Sequence, residues 1–285
     1  MSTTVEQVTE PCTFHGEGPF WDAVNDRLLL VDMLAGAVVA VDADGRTQRH
    51  QLAGVAAALR ARRDGGYVLA TENRFVLLGP DLTEQAQLPP VFTDPAVRMN
   101  DGGCDPQGRF YCGTMAYDST PGAGTLYRLD ADGSVSVALR EVTISNGLQW
   151  NAAGDTVFYN DTPTGRVDRF DFDPESAAFT GRRTFAEIAG PGQPDGMAID
   201  EEDGIWVALW GGGAVHRYDA TGRLDLRVEL PVSQVTACTF GGPERRTLFI
   251  TTSQDGVDPA EQPQAGAVFS YAAGVRGAPQ HAYAG

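Results

Sequence analysis

Short apolar runs alternate with turn-forming clusters along the whole chain. Asn25-Asp26-Arg27 precedes an apolar run over residues 28–32, and Arg63-Asp64-Gly65-Gly66 precedes one over 67–71. Gln107-Gly108 leads into 109–114, and Ala153-Gly154-Asp155 leads into 156–161. Asp203-Gly204 leads into 205–210, and residues 243–246 lead into 247–252. Each run has the length and the β-branched and aromatic content of a strand. The six turns recur at intervals of about 40–50 residues, the period of a propeller blade of four short strands. Weaker turns fall between them, at Asp42-Ala43-Asp44-Gly45, Asp130-Ala131-Asp132-Gly133, Asp171-Phe172-Asp173-Pro174 and Asp219-Ala220-Thr221-Gly222. Residues 81–88 and 177–188 contain candidate helical turns, but neither sustains a 3.6-residue apolar face. The pattern predicts an all-β chain, a six-bladed β-propeller occupying residues 1–285 as one domain. Closing the ring calls for a blade shared by the two ends of the chain, because an open propeller exposes sheet edges. The candidates are residues 266–271 and 5–14.

Composition fits that architecture. The 285 residues are 42% hydrophobic, enough for a large core, and 34 Gly with 17 Pro supply the turns. Net charge is −17, from 21 basic and 38 acidic residues. Such a surface repels nucleic acid and anionic lipid, so neither is an expected partner. Cys12, Cys104, Cys112 and Cys238 form no C-x-x-C pair and read as small buried hydrophobes of a reduced, cytoplasmic protein. Residues 1–10 carry no Lys, Arg or apolar run, so no secretory signal is expected. No stretch approaches the roughly 18 apolar residues of a membrane span. The sequon Asn160-Asp161-Thr162 then reads as chance.

The candidate chemistry lies eight or nine residues ahead of the turns. At that phase stand Glu17, Asn100, Asn146 and Asp195, each followed by Gly directly or one residue on; the second and sixth units have small or apolar residues, near Ala56 and Thr236. In a propeller the innermost strands line a central channel, so equivalent positions converge on one axis. Any single Asn-Gly or Asp-Gly pair is better read as a turn. Four at one phase, with the turn role already filled elsewhere, point to a shared site. Two carboxylates and two amides without His or Cys suit a hard divalent cation such as Ca²⁺, Mg²⁺ or Mn²⁺. No serine-hydrolase elbow or zincin spacing is present. His216, on an apparent strand, reads as structural.

The ordered set Glu17-Gly18-Pro19-Phe20-Trp21, Arg98-Met99-Asn100-Asp101-Gly102, Gly113-Thr114-Met115, Ser145-Asn146-Gly147-Leu148, Pro194-Asp195-Gly196-Met197 and Trp206-Val207-Ala208-Leu209-Trp210-Gly211-Gly212 resembles the regucalcin/gluconolactonase (senescence marker protein) family through nearly the whole chain. The resemblance implies a six-bladed propeller with one divalent metal in the channel. It implies metal ligands at Glu17, Asn146 and Asp195, and Asn100 beside the metal touching substrate or water. It also implies substrate contacts at Arg98 and Asp118, and a proton acceptor and donor at Asp195. Two departures concern substrate size: animal members carry Glu where this chain has Asp118, and the loop of residues 119–124 is short.

The implied reaction is hydrolysis of a sugar lactone of the gluconolactone type to its aldonic acid, by a monomer. Ca²⁺ is the first expectation for the cation, with Zn²⁺, Mn²⁺, Mg²⁺ or Fe²⁺ as alternatives. Two other readings stay open: a propeller phosphotriesterase or aryl-ester lactonase, and a non-catalytic Ca²⁺-binding propeller. Arg98 also has a bland alternative, an ion pair with Asp101.

Overall fold

In a computed structural model the described residues, 4–285, form six four-stranded antiparallel sheets arranged as propeller blades. Blade 1 comprises Gly16–Asp22, Arg27–Asp32, Ala37–Val41 and Thr47–Gln51. Blade 2 comprises Ala56–Ala61, Tyr67–Thr71, Phe75–Leu78 and Glu84–Gln87. Blade 3 comprises Val97–Cys104, Phe110–Ala116, Gly124–Leu129 and Val135–Val142. Blade 4 comprises Ser145–Trp150, Thr156–Asp161, Arg166–Phe172 and Phe179–Glu187. Blade 5 comprises Gln193–Ile199, Ile205–Trp210, Ala214–Tyr218 and Leu224–Glu229. Blade 6 takes Val235–Gly241, Thr247–Thr252 and Phe269–Ala272 from the end of the chain and Glu6–Gln7 from its start. The ring therefore closes by the expected shared blade, with Glu6 opposite Ser270 and Gln7 opposite Phe269.

The periodic runs seen in the sequence are the second strands of the blades, four of them with the expected bounds. The run expected at 109–114 is Phe110–Ala116. Its turn is tied by the Gly108 amide donating to the Asp105 carbonyl at 2.9 Å, with Gly108 at φ +93°. The two segments with candidate helical turns hold the strands Glu84–Gln87 and Phe179–Glu187 instead. Among the described residues one short 3₁₀ turn, Thr162–Thr164, is the sole helical element, and no helix is long and apolar enough to cross a membrane. Residues 1–3 of the expected signal-free start lie outside the described residues.

Inner strands are buried and outer strands wet: Val235–Gly241 is buried throughout, whereas Glu84–Gln87 is exposed throughout. Apolar side chains fill the wedges between neighbouring blades. Leu29, Leu59, Leu69, Phe75 and Phe110 belong to one cluster spanning blades 1 to 3; Trp206, Phe240, Leu248 and Ile250 belong to another between blades 5 and 6.

All six innermost strands are irregular at the same place. Pairing with the second strand breaks between Glu17 and Phe20, Ala56 and Ala58, Met99 and Gly102, Ser145 and Leu148, Pro194 and Met197, and Val235 and Ala237. A bulge bends its strand and re-aims a side chain. Here each bulge begins at, contains or directly follows the residue singled out by its phase in the repeat.

The glycines beside these residues are not turn formers. Asn146-Gly147 and Asp195-Gly196 lie inside strands. A methyl group at Gly147 would sit 2.8 Å from the Asp195 carbonyl, and one at Gly196 would sit 2.4 Å from the Ala237 Cβ. Glycine is required because inner strands of adjacent blades crowd together at the axis.

The C-terminal segment straps blades 2, 3, 5 and 6 together, a feature with no sequence signal. Gly277 and Ala278 donate to the carbonyls of Arg245 and Ile199 at 2.7 and 3.0 Å. Tyr283 and Ala284 donate to those of Ala61 and Gly108, both at 2.8 Å. It borders a cavity of about 320 Å³ whose walls include Asp101, Arg60 and Met197.

Because Ala237 is backbone-fixed, Gly196→Ala should lower stability by about 1–3 kcal/mol through overpacking. An unchanged urea midpoint would contradict the close approach of blades 5 and 6.

Candidate active site in the channel

Four inner strands, those of blades 1, 3, 4 and 5, deliver a polar side chain to the channel at the bulge. Glu17, Asn100, Asn146 and Asp195 are all buried, between 4% and 6% exposed. A hydrogen-bond chain links three blades. Arg98 Nη1 donates to Asn100 Oδ1 at 2.7 Å, and Asn100 Nδ2 donates to Asn146 Oδ1 at 3.2 Å and to the Ser145 carbonyl at 2.9 Å. Asn146 Nδ2 donates to Thr162 Oγ1 at 2.8 Å, and that hydroxyl spends its own proton on the Pro194 carbonyl at 2.8 Å. Thr162 can then only accept from Asn146, which fixes the amide with its nitrogen toward Thr162 and its oxygen toward Asn100. Asn100 Oδ1 is already held by Arg98. Asn160 Nδ2 donates to the Asp195 carbonyl at 2.7 Å and anchors the backbone of that residue.

The carboxylates lack such partners. Among the described residues Glu17 Oε2 accepts only the Gly18 amide, at 3.3 Å, and Glu17 Oε1 lies 3.8 Å from His15 Nε2. Burial pushes the Glu17 carboxyl from an ordinary 4.5 to about 8, and the charge of Asp101 adds to the rise. Burial likewise drives Asp195 well above the usual carboxylate range, followed by the charges of Glu17 and Asp101; the Gly196 amide and Arg98 oppose it. Asp101 is raised by burial too, with Arg60 opposing. Three buried acids thus share one electrostatic neighbourhood.

Arg98 enters none of the ion pairs found among the described residues, so the alternative of a pair with Asp101 is not realised. Its Nη1 is spent on Asn100, the Met99 carbonyl at 3.1 Å and Met33 Sδ at 3.0 Å. Nε and Nη2 have no protein partner among the described residues. The guanidinium lies under the half-exposed Tyr117 ring, 5.8 Å from its centroid. Burial lowers its pKa.

Asp118 is not joined to this group. It is exposed, and its Oδ1 accepts the Thr120 amide at 3.0 Å and the Thr120 hydroxyl at 2.7 Å, which hold it below the usual carboxylate range. His216 is buried with Nδ1 3.3 Å from Tyr218 Oη, the expected structural setting. All four cysteines are free, with Cys104, Cys112 and Cys238 buried and Cys12 partly so.

Three residues of the neighbourhood were not picked out in the sequence. His15 stands two residues before Glu17, so extended-strand alternation places both on one face. Its imidazole is pushed down to about 4, by burial first and then by Arg98, and is neutral at pH 7. Asp101 was visible only as a candidate partner for Arg98. Thr162 was visible only as part of the sequon Asn160-Asp161-Thr162, yet it orients Asn146.

The donor set fits a hard cation. Among the described residues no three His, Cys, Asp or Glu side chains lie close enough to hold a metal by themselves, so the amides are needed to complete any site. Once a cation displaces their protons, Glu17 and Asp195 would supply negative charge and Asn146 a carbonyl oxygen with its orientation fixed from behind, which is the supporting arrangement that metal ligands need.

A six-bladed propeller with buried carboxylates and amides on its axis belongs to the class of propellers that work through a polar channel. Residues 15–254 match the family model described as SMP-30/Gluconolactonase/LRE-like region, and the chain belongs to that family. It is 36% identical to regucalcin of Sus scrofa, over all of this chain and 99% of the relative. Among solved structures, a regucalcin of Agrobacterium tumefaciens described as a calcium-binding protein is similar at 29% identity and a TM-score of 0.91, covering 99% of each chain. A luciferin-regenerating enzyme is similar at 26% identity and a TM-score of 0.90, covering 99% of this chain and 100% of its own. Family membership supports a lactonase type of function.

The raised carboxyl pKa of Glu17 has a consequence for folding. Unfolded, it binds its proton only below about 4.5; folded, it keeps it to about 8. The folded state holds more protons between those values, so stability should fall as pH rises from about 5 to 8 in chelator-treated protein. Melting temperature against pH is the check, and a shallower profile in Glu17→Gln, with Asp195 and Asp101 still contributing, would assign part of the slope to Glu17.

Proposed function

We propose that the chain is a divalent-cation-dependent hydrolase that opens a sugar lactone, of the aldonolactone type, to the aldonic acid. The supporting observation is the buried pair Glu17 and Asp195, two acids without a cationic hydrogen-bond partner among the described residues. Glu17, Asn146 and Asp195 would hold the cation, with Ca²⁺ first among the candidates for an oxygen-only set. Zn²⁺, Mn²⁺, Mg²⁺ and Fe²⁺ are accepted by the same donors, and supply then decides. A bound cation contributes Lewis acidity that polarises the lactone carbonyl.

The protein groups account for the remaining work. Asp195 takes a proton from the attacking water and returns it to the ring oxygen as the carbon–oxygen bond breaks, so the proton count closes on the product acid. Arg98 offers its uncommitted Nε and Nη2 to substrate oxygens, and Asn100, its two amide protons spent on Ser145 and Asn146, keeps one Oδ1 lone pair for a substrate or water donor. Asp118, from the rim, would approach the substrate only by releasing Thr120. Free cysteines and a net charge of −17 suit a cytoplasmic monomer that acts on a small molecule rather than on nucleic acid or membrane.

A second reading, cation binding without turnover, draws on the description of the Agrobacterium tumefaciens relative as a calcium-binding protein. Acid release from gluconolactone, xylonolactone and arabinolactone, with and without EDTA, separates the two. The lactonase reading expects turnover of at least one that EDTA abolishes and Ca²⁺ or Mn²⁺ restores. Absence of metal-dependent turnover on all three favours the binding module. Asp195→Asn should cost roughly 10²–10⁴-fold in kcat with the fold intact; near-normal activity in that variant would remove Asp195 from its role.

A further inference from the structure

His15 stands in the channel wall beside Glu17 and has no part in the chemistry above. Its backbone is pinned: Asp32 Oδ1 accepts the amides of Phe14 and His15 at 3.1 and 2.9 Å. The ring is pinned as well, with Nδ1 2.8 Å from Ser253 Oγ. That hydroxyl accepts the Asp255 amide at 2.9 Å; with its own proton on the Phe14 carbonyl, 3.3 Å away, it accepts from His15. In that arrangement Nδ1 carries the ring proton and Nε2 presents a lone pair. Trp210 packs against the ring edge, with centroids 5.7 Å apart.

Nε2 and Glu17 Oε1 then face one another as two acceptors 3.8 Å apart. The gap is too wide for a direct hydrogen bond, and Glu17 holding a cation has no proton to give. It is suited to a donor entering from the channel. A cation on Glu17 leaves Nε2 as the acceptor still open, and the donor that meets it must come from the bound molecule.

We propose that His15 is a specificity-determining contact that selects polyhydroxylated lactones, its Nε2 accepting a hydrogen bond from a ring hydroxyl next to the lactone carbonyl. This rests on the lactonase reading. A site built to bond a hydroxyl discriminates against the analogue that lacks it, because its own polar group is left unpaired. The pinning by Ser253 and Asp32 makes the discrimination sharp, since the ring cannot swing away to find water.

The test compares D-glucono-1,5-lactone with δ-valerolactone, the same ring without hydroxyls, in the Ca²⁺-loaded protein. His15→Leu should raise KM for the gluconolactone about tenfold, with kcat within about twofold. The same variant should leave kcat/KM for δ-valerolactone within about twofold. His15→Gln, which keeps an acceptor, should restore most of the gluconolactone affinity. Equal losses on both lactones, no loss on either, or no recovery in His15→Gln would overturn the assignment. Calorimetric titration with D-gluconate separates failure of this inference from failure of the lactonase reading. If wild type hydrolyses neither lactone but binds gluconate about tenfold more tightly than His15→Leu does, the His15 contact stands and the lactonase reading falls. Equal binding, or none by wild type, overturns the His15 contact.

Discussion

Buried acids crowding one axis without matched countercharge are the constraint around which this propeller is built. Glu17, Asp101 and Asp195 each raise or feel one another's charge, and the guanidinium of Arg98 commits one of its nitrogens to an amide, a carbonyl and a thioether rather than to any of them. Leaving such charges unpaired in a dry site costs several kcal/mol each, so the group must bind protons or a cation. The choice between those two couples protonation, metal binding and stability in one place. A catalytic channel gains from that arrangement, because the same carboxylate can hold a cation and exchange a proton.

The fold holds the acids together by making every blade irregular at one level. A regular inner strand would alternate its side chains between the two neighbouring wedges and place few on the axis. The six bulges break that alternation, and glycines at 147 and 196 let adjacent backbones close to the distance at which the delivered side chains meet. Blades 2 and 6 deliver Ala57 and Thr236 at the same level, and Thr236 turns its hydroxyl to the Gly16 carbonyl at 2.5 Å. Four polar positions and two quiet ones leave an asymmetric site with room on one side.

The six-fold repeat was legible because each second strand follows a local turn; in blades 1, 3, 4 and 5 Asp22, Asp105, Asn151 and Asp200 accept nearby amides of that turn. The phase of Glu17, Asn100, Asn146 and Asp195 was legible for the same reason. What their glycines do was harder to read, since Asn-Gly and Asp-Gly are strong turn signals and only the packing of a neighbouring blade shows that these lie inside strands. His15 and Thr162 escaped notice because their value depends on residues far along the chain, Ser253 for one and Pro194 for the other. Asp118 shows the converse: its motif position is clear, but its side chain serves the local turn with Thr120. The strap formed by the C-terminal segment has little regular structure of its own and is fixed by backbone bonds to blades 2, 3, 5 and 6.

The central claim is that the bulged inner strands aim Glu17, Asn146 and Asp195 at a single cation. Crystals soaked in Mn²⁺ and measured at the manganese edge test it directly. The account predicts one strong anomalous peak within about 2.0–2.6 Å of an oxygen from each of those three side chains. A peak bound elsewhere in the ring, or a channel with no peak and Glu17 and Asp195 still apart, would contradict it.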